Sequence, residues 1–184
     1  MKIILASQSP RRKELLSQLV DSFEIVPADI DETVREGDTP KEYVAQMATA
    51  KAAAIAEKYP EALIIACDTI VALDNEILGK PVSREDAFGM LKRMSGRKQM
   101  VYTTVVLRRG QQIREETVPA EVTFFEITDD EINDYLDIGD YADKAGSYGI
   151  QGAASIFVKK VEGDYYSIVG FPVGVVHQLL KEFL

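Results

Sequence analysis

The stretch KIILASQSPRRKELL, residues 2–16, sets the architecture. Its apolar run Ile3, Ile4, Leu5 and Ala6 opens with two β-branched residues and stops at SQSPRR, so it reads as a strand feeding a loop. A helix follows at once. Ser9 is a good N-cap, Pro10 suits the first helical position, where its missing N–H would be unpaired anyway, and Leu15, Leu16 and Leu19 supply an apolar face.

Further along, the same alternation of strand and helix signals continues. Phe23 to Val26 reads as a second strand, followed by the polar, unpatterned ADIDETVREGDT. Thr39, Pro40 and Glu42 form a capping box that opens a long helix to about Tyr59, with Val44, Met47, Ala48, Lys51 and Ile55 at helical spacing. Lys51 therefore lies on or beside the inward face. Two apolar runs, Ala62 to Cys67 and Ile70 to Leu73, are interrupted only by Asp68 and Thr69. Ser83 caps another helix that Gly96 ends, with Ala87, Leu91 and Met94 as its stripe. Met100 to Leu107 and Val118 to Phe125 alternate as a strand pair joined through RRGQQ, and Thr128 with Glu131 caps a short helix to about Tyr135. After the connector DKAGSYGIQG, Ser155 to Val161 and Tyr165 to Val169 read as a hairpin around EGD, and a last helix starts near Pro172. With no repeat, low-complexity tract or linker, residues 1–184 are expected to form a single α/β domain around a mixed central sheet flanked by helices.

Composition bounds the function. Of 184 residues 46% are hydrophobic and 28% charged, which suits a globular chain and excludes disordered and collagenous classes. The net charge of −9 repels nucleic acid and anionic membrane, so neither is an expected partner, and an anionic ligand needs a local concentration of Lys and Arg. Cys67, the lone cysteine, can close no disulfide within the chain and points to a reducing compartment. The N-terminal residues show no export signal, and the longest apolar stretch, Ile168 to Val176, is about half the ~18 residues of a membrane span. A cytoplasmic location is expected.

Several residues could carry chemistry. SQSPRR brings Ser7, Ser9, Arg11 and Arg12 to a strand end and a helix start, where N–H groups and guanidinium forks suit phosphate; it equally fits a Ser-Pro helix start with solvated arginines. Asp68 ends an apolar run where a strand would reach a cleft, and it could hold Mg²⁺ or take a proton from water, or simply close its own turn. Asp31 and Glu32 are further carboxylates for a metal in a segment that is also plausible as a solvated acidic loop. Lys51 and Lys80 could neutralise charge, Lys51 from its helix and Lys80 from the GKP turn. Gln151, between Gly149 and Gly152, could pair with the edge of a base. His177 in the terminal helix reads as structural, and Cys67 as an inert buried thiol.

Taken together, LASQSPRRKELL, the Asp31–Glu32 pair, ATAKA, IIACDTIVAL, LGKP, MLKRMSG, DKAGSYGIQG and EGDYYSIVGFPV resemble the Maf family of nucleotide pyrophosphatases, in order and from Lys2 to beyond Val173. The resemblance implies a two-lobed α/β fold with a central cleft, shared with inosine triphosphate pyrophosphatases (Maf/Ham1). It implies hydrolysis of a nucleoside triphosphate between its α and β phosphates, with a divalent cation: Mg²⁺ or Mn²⁺, with Co²⁺ as a further choice. By position, Asp68 matches the family's proton acceptor and Glu32 a carboxylate of its metal site, so that both are metal candidates. Lys51 and Lys80 complete the catalytic set, and Ser7, Ser9, Arg11, Arg12, Thr69 and Gln151 match the substrate-binding lining. Arg11 after the Pro, Thr69 after the Asp and Gln151 in GIQG resemble the dTTP/UTP branch; a methylated-GTP pyrophosphatase of the sister branch is an alternative. The sequence departs from its relatives at Gln99, where a His is common, and at Cys67, where a smaller residue precedes the Asp. The family's link to septum formation leaves a second alternative, a non-catalytic nucleotide-binding regulator, and the resemblance further implies a homodimer.

Overall fold

The computed structural model describes residues 1–184. The elements run β1 (Ile3–Leu5), α1 (Pro10–Leu16), β2 (Glu24–Ile25), α2 (Pro40–Ala56), β3 (Leu63–Leu73), β4 (Glu76–Leu78), α3 (Arg84–Met94), β5 (Lys98–Arg109), β6 (Gln112–Phe124), α4 (Asp129–Ile138), β7 (Val158–Gly163), α5 (Tyr165–Val169) and α6 (Val173–Leu180). They build one mixed sheet in the order β2-β1-β3-β5-β6-β7, with β4 attached to β3. β1 lies parallel to β2 and β3, and the remaining pairs are antiparallel. No helix is long and apolar enough to cross a membrane.

Strand alternation divides the apolar side chains between two faces. Ile3, Leu5, Leu63, Ile65 and Cys67 meet Leu15 and Leu16 of α1 and Val176 and Leu180 of α6. Ile4, Ala6, Ile64 and Ala66 meet Ala48, Ala52 and Ile55 of α2, whose small side chains let the helix lie close to the sheet. Beyond residue 70 the same strands enter another core, where Val71, Leu73, Val101, Val122 and Phe124 pack with Leu91 and Met94 of α3 and Ile132, Tyr135 and Leu136 of α4. The sheet is thus shared by two lobes, and β3 passes from one core to the other between Cys67 and Val71.

The expected caps all form. Ser9 accepts from the Arg12 N–H, Ser83 from Asp86, and Thr39–Glu42 and Thr128–Glu131 close as reciprocal boxes. Each such cap contributes on the order of 1 kcal/mol. Two expectations are corrected. Tyr165–Val169 is a helix and not the second arm of a hairpin: Asp164 accepts from the Tyr166 N–H at 2.8 Å, and Gly170, at φ +112°, ends the turn. The partner of β7 is instead β6, with Val122 opposite Val161. Nor does Asp68 end a strand, because β3 runs unbroken through Asp68 and Thr69. Two polar residues are tolerated there because each finds partners on its own face.

Candidate active site

Those partners define a site. Asp68 points to the α2 face of the sheet and Thr69, its neighbour, to the α1 face, so one dipeptide serves both sides of β3. On the α2 face, Lys51 Nζ lies 2.6 Å from Asp68 Oδ1 and 2.6 Å from Glu32 Oε1, with the side chains of Lys51 and Asp68 each only 13% exposed. A cation that is largely desolvated is thereby shared by two carboxylates. Partial burial pushes the Glu32 carboxyl up, but the hydrogen bond and charge of Lys51, helped by Lys80 and Arg12, outweigh it and hold the group below its ordinary value. Glu32 comes from the irregular segment between β2 and α2, and its carbonyl accepts a 2.6 Å hydrogen bond from the Tyr43 hydroxyl. Burial, followed by the nearby Asp68 and Glu32, pushes that phenol up to about 12, so it stays a donor at neutral pH.

On the α1 face Arg12 is a clamp. Its Nε donates to the Gly170 carbonyl at 2.8 Å, one terminal nitrogen donates to the Cys67 carbonyl (2.9 Å) and Ser7 Oγ (3.3 Å), and the other donates to Thr69 Oγ1 (3.1 Å). Four of the five guanidinium N–H groups are committed to protein acceptors, so Arg12 offers a ligand its charge and one N–H rather than a free fork. Ser7 is buried at the end of β1 and also accepts from the Ser9 N–H at 3.2 Å. Because α1 has only seven residues, few peptide dipoles align, and anion binding rests chiefly on the side chains.

Both faces open into one cleft of about 1140 Å³. The ten residues that the family resemblance assigns to catalysis and binding all line it: Ser7, Ser9, Arg11, Arg12, Glu32, Lys51, Asp68, Thr69, Lys80 and Gln151. Five Lys and Arg and five Asp and Glu side chains lie along its wall, a neutral balance inside a chain of charge −9. Lys51 is held by Glu32 and Asp68, and Lys144 by Asp140 and Asp143 at 2.9 and 3.0 Å. Arg11 and Lys80 have no carboxylate within ion-pair distance, which leaves them to meet an anionic ligand. Gln151 is exposed at the rim on a loop packed against the Lys144–Asp140 pair: a Cβ on Gly149 would lie 2.7 Å from Lys144 Cε and one on Gly152 would overlap the Asp140 carboxylate, so a side chain at either would shift that pair.

Other candidates fall outside. Asp31 is absent from the wall, and its Oδ1 accepts from the Thr33 N–H and hydroxyl in a local turn. His177 is exposed and away from the cleft. Cys67 is fully buried, and that burial raises its thiol to about 11, as an inert thiol requires. Gln99 is buried and donates to the Tyr148 hydroxyl at 3.2 Å. The cleft also contains residues that were not singled out, among them Tyr43, Asp140, Lys144 and Tyr148. Tyr43 was findable, since residues 43, 47 and 51 form one i, i+4 stripe on α2.

No cluster of three or more His, Cys, Asp and Glu side chains forms a cage for a metal. Glu32 and Asp68 each engage Lys51 through one oxygen, which leaves one oxygen apiece for another ligand. Such a donor set fits Mg²⁺ or Mn²⁺, hard ions that take one or two carboxylates and fill their remaining positions with water and phosphate oxygens.

The family model described as "Maf-like protein" matches residues 2–183. The chain is 44% identical over 178 residues to a dTTP/UTP pyrophosphatase of Latilactobacillus sakei, covering 97% of this chain and 98% of the relative. It is 46% identical over 187 residues to one of Clostridium beijerinckii (99% of each chain) and 45% identical over 186 residues to one of Carboxydothermus hydrogenoformans (100% and 99%). Among solved structures it is similar to the Staphylococcus aureus Ham1 protein, at 19% identity over 70% of this chain and 73% of that one, with a TM-score of 0.48.

Proposed function

The chain belongs to the Maf-like protein family, and from that premise we propose that it hydrolyses dTTP and UTP between the α and β phosphates to the monophosphate and pyrophosphate, with a divalent cation. The observation that carries this reading is the cleft itself. A carboxylate pair joined by Lys51 shares the wall of a cleft of nucleotide size with Arg11, Lys80 and the Arg12 clamp. The names of the similar proteins from L. sakei, C. beijerinckii and C. hydrogenoformans support the substrate choice.

Each residue has a task its position allows. Arg11, Lys80 and Arg12 offset the charge of the triphosphate, which an acidic chain would otherwise repel. Lys51 donates to Asp68 Oδ1 and fixes the orientation of the carboxylate, leaving Oδ2 to take a proton from the attacking water. As the new P–O bond forms, the bond between the α phosphorus and the bridging oxygen breaks and pyrophosphate departs. Glu32 would hold Mg²⁺ or Mn²⁺ through its remaining oxygen, with water and phosphate oxygens filling the other positions and Asp68 Oδ2 kept for the proton, and a bound ion would supply charge neutralisation on the phosphates. Gln151 presents an amide donor and acceptor to the O4 and N3–H edge of uracil or thymine. The family resemblance supports a cytoplasmic homodimer, and the net charge of −9 argues against nucleic acid or anionic membrane as partners.

The test is product analysis. With Mg²⁺ or Mn²⁺, dTTP and UTP should give dTMP or UMP and pyrophosphate, and Gln151→Glu should erode the preference for dTTP. Release of inorganic phosphate with dTDP, or turnover confined to methylated GTP, would contradict the reading.

A further inference from the structure

The chain of hydroxyls behind Arg12 has only one possible polarity. Thr103, on β5 opposite Thr69, is fully buried and does not line the cleft. Its Oγ1 lies 2.6 Å from the Ser167 carbonyl, which can only accept, so the single hydroxyl proton of Thr103 is donated there. The 2.8 Å contact between Thr69 Oγ1 and Thr103 Oγ1 must then be donated by Thr69. Thr69 Oγ1 in turn accepts from the Arg12 guanidinium at 3.1 Å. The order is therefore Arg12 to Thr69 to Thr103 to the Ser167 carbonyl, with every proton assigned.

We propose that Thr103 is a positioning residue for the nucleotide site: by accepting the Thr69 proton and anchoring to the α5 backbone, it fixes the Arg12 guanidinium and, through it, Ser7. Two consequences follow from the geometry. Thr69 has no hydroxyl proton left for a ligand, so its part in binding is to hold Arg12 and not to donate to a ligand. The chain also ties α1, β3, β5 and the α5–α6 turn at one point: Arg12 Nε holds the Gly170 carbonyl while Thr103 holds the Ser167 carbonyl of the same short helix. Asp68 lies on the opposite face and is oriented by Lys51, so Thr103 bears on phosphate binding and not on proton transfer.

The proposal rests on the pyrophosphatase reading for its kinetic readout. Thr103→Val, nearly the same shape without a hydroxyl, should raise KM for dTTP about tenfold or more and leave kcat within about threefold, since misplacing a binding group by ~1 Å costs up to ~10²-fold. Thr103→Ser, which keeps the oxygen and its proton, should restore KM to within about twofold of the starting protein. An unchanged KM in Thr103→Val, a loss confined to kcat, or equal damage in Thr103→Ser would overturn the proposal, the last by showing that packing rather than the hydroxyl matters. Should Thr103→Val not fold, Thr103→Cys, with a weak donor of similar size, should raise KM several-fold above that of Thr103→Ser, and a Cys variant with the unchanged KM would overturn it equally. If the unmodified protein releases no pyrophosphate, it is the functional reading that fails. The same series is then judged by calorimetric affinity for inorganic pyrophosphate with Mg²⁺, where Val should be about tenfold weaker than Ser and equal affinities would overturn the proposal.

Discussion

Replacing Lys51 by Met retains most of the apolar stem and removes the one cation that Glu32 and Asp68 share. The contact with Asp68 involves two side chains that are each 13% exposed, and such a charge-assisted bond contributes ~1.5–3 kcal/mol. The Glu32 contact is half solvated, and screening reduces it to less than ~1 kcal/mol. The sum, about 2–4 kcal/mol, corresponds to a fall of roughly 5–15 °C in Tm for a domain of this size. With Lys51 gone, only the more distant charges of Lys80 and Arg12 offset the two carboxylates, which is the arrangement a divalent cation relieves. Mg²⁺ at ten times its Kd would return about 1.4 kcal/mol. Differential scanning fluorimetry across a Mg²⁺ titration should therefore show a low Tm in Lys51→Met that rises more with Mg²⁺ than that of the unmodified protein. An unchanged Tm, or equal Mg²⁺ responses in the two proteins, would refute the idea that Lys51 neutralises a carboxylate pair.

Three other perturbations probe neighbouring features. Tyr43→Phe removes the 2.6 Å bond to the Glu32 carbonyl and should raise the Mg²⁺ concentration needed for half-maximal pyrophosphate release several-fold, at a stability cost of only ~1 kcal/mol; an unaltered Mg²⁺ requirement would show that Tyr43 does not place Glu32. Glu32 titrates below its ordinary value in the folded chain, so its contribution to stability is complete above the ordinary glutamate pKa and disappears as pH falls through the depressed one. The Tm gap between the unmodified protein and Glu32→Gln should thus be present at pH 7 and close in acid, and a gap that widens in acid would reverse the assignment. Cys67, buried and raised to about 11, should resist Ellman's reagent in the native state and react at once in denaturant, whereas rapid native labelling would contradict its burial.

Much of this geometry is legible in the sequence where local rules act alone. The four caps at Ser9, Thr39, Ser83 and Thr128 are decided by residues within three positions, and they form as expected. Lys51 on an inward stripe and Asp68 in an apolar run are each visible, and alternation along β3 explains why they meet. The commitments made across the chain are harder to read. Arg12 looks like a free phosphate ligand until its partners at Cys67, Thr69 and Gly170, at least 55 residues away, are known. Thr103 is indistinguishable in sequence from any polar residue of an alternating strand, because its meaning depends on standing opposite Thr69. The run Tyr165–Val169 has the composition of a strand, yet the cap at Asp164 and the left-handed Gly170 make a helical turn of it.

The most direct test of the catalytic arrangement is pyrophosphate release from dTTP with Mg²⁺ by the unmodified protein and by Asp68→Asn, side by side. Asparagine keeps the shape and loses the proton acceptor. Steady release of dTMP and pyrophosphate that falls by about 10²-fold or more in Asp68→Asn, with nucleotide binding retained, is the expected result, as removal of a general base typically costs ~10²–10⁴-fold. Equal release by the two proteins would contradict the role given to Asp68, and release by neither would contradict the reaction itself.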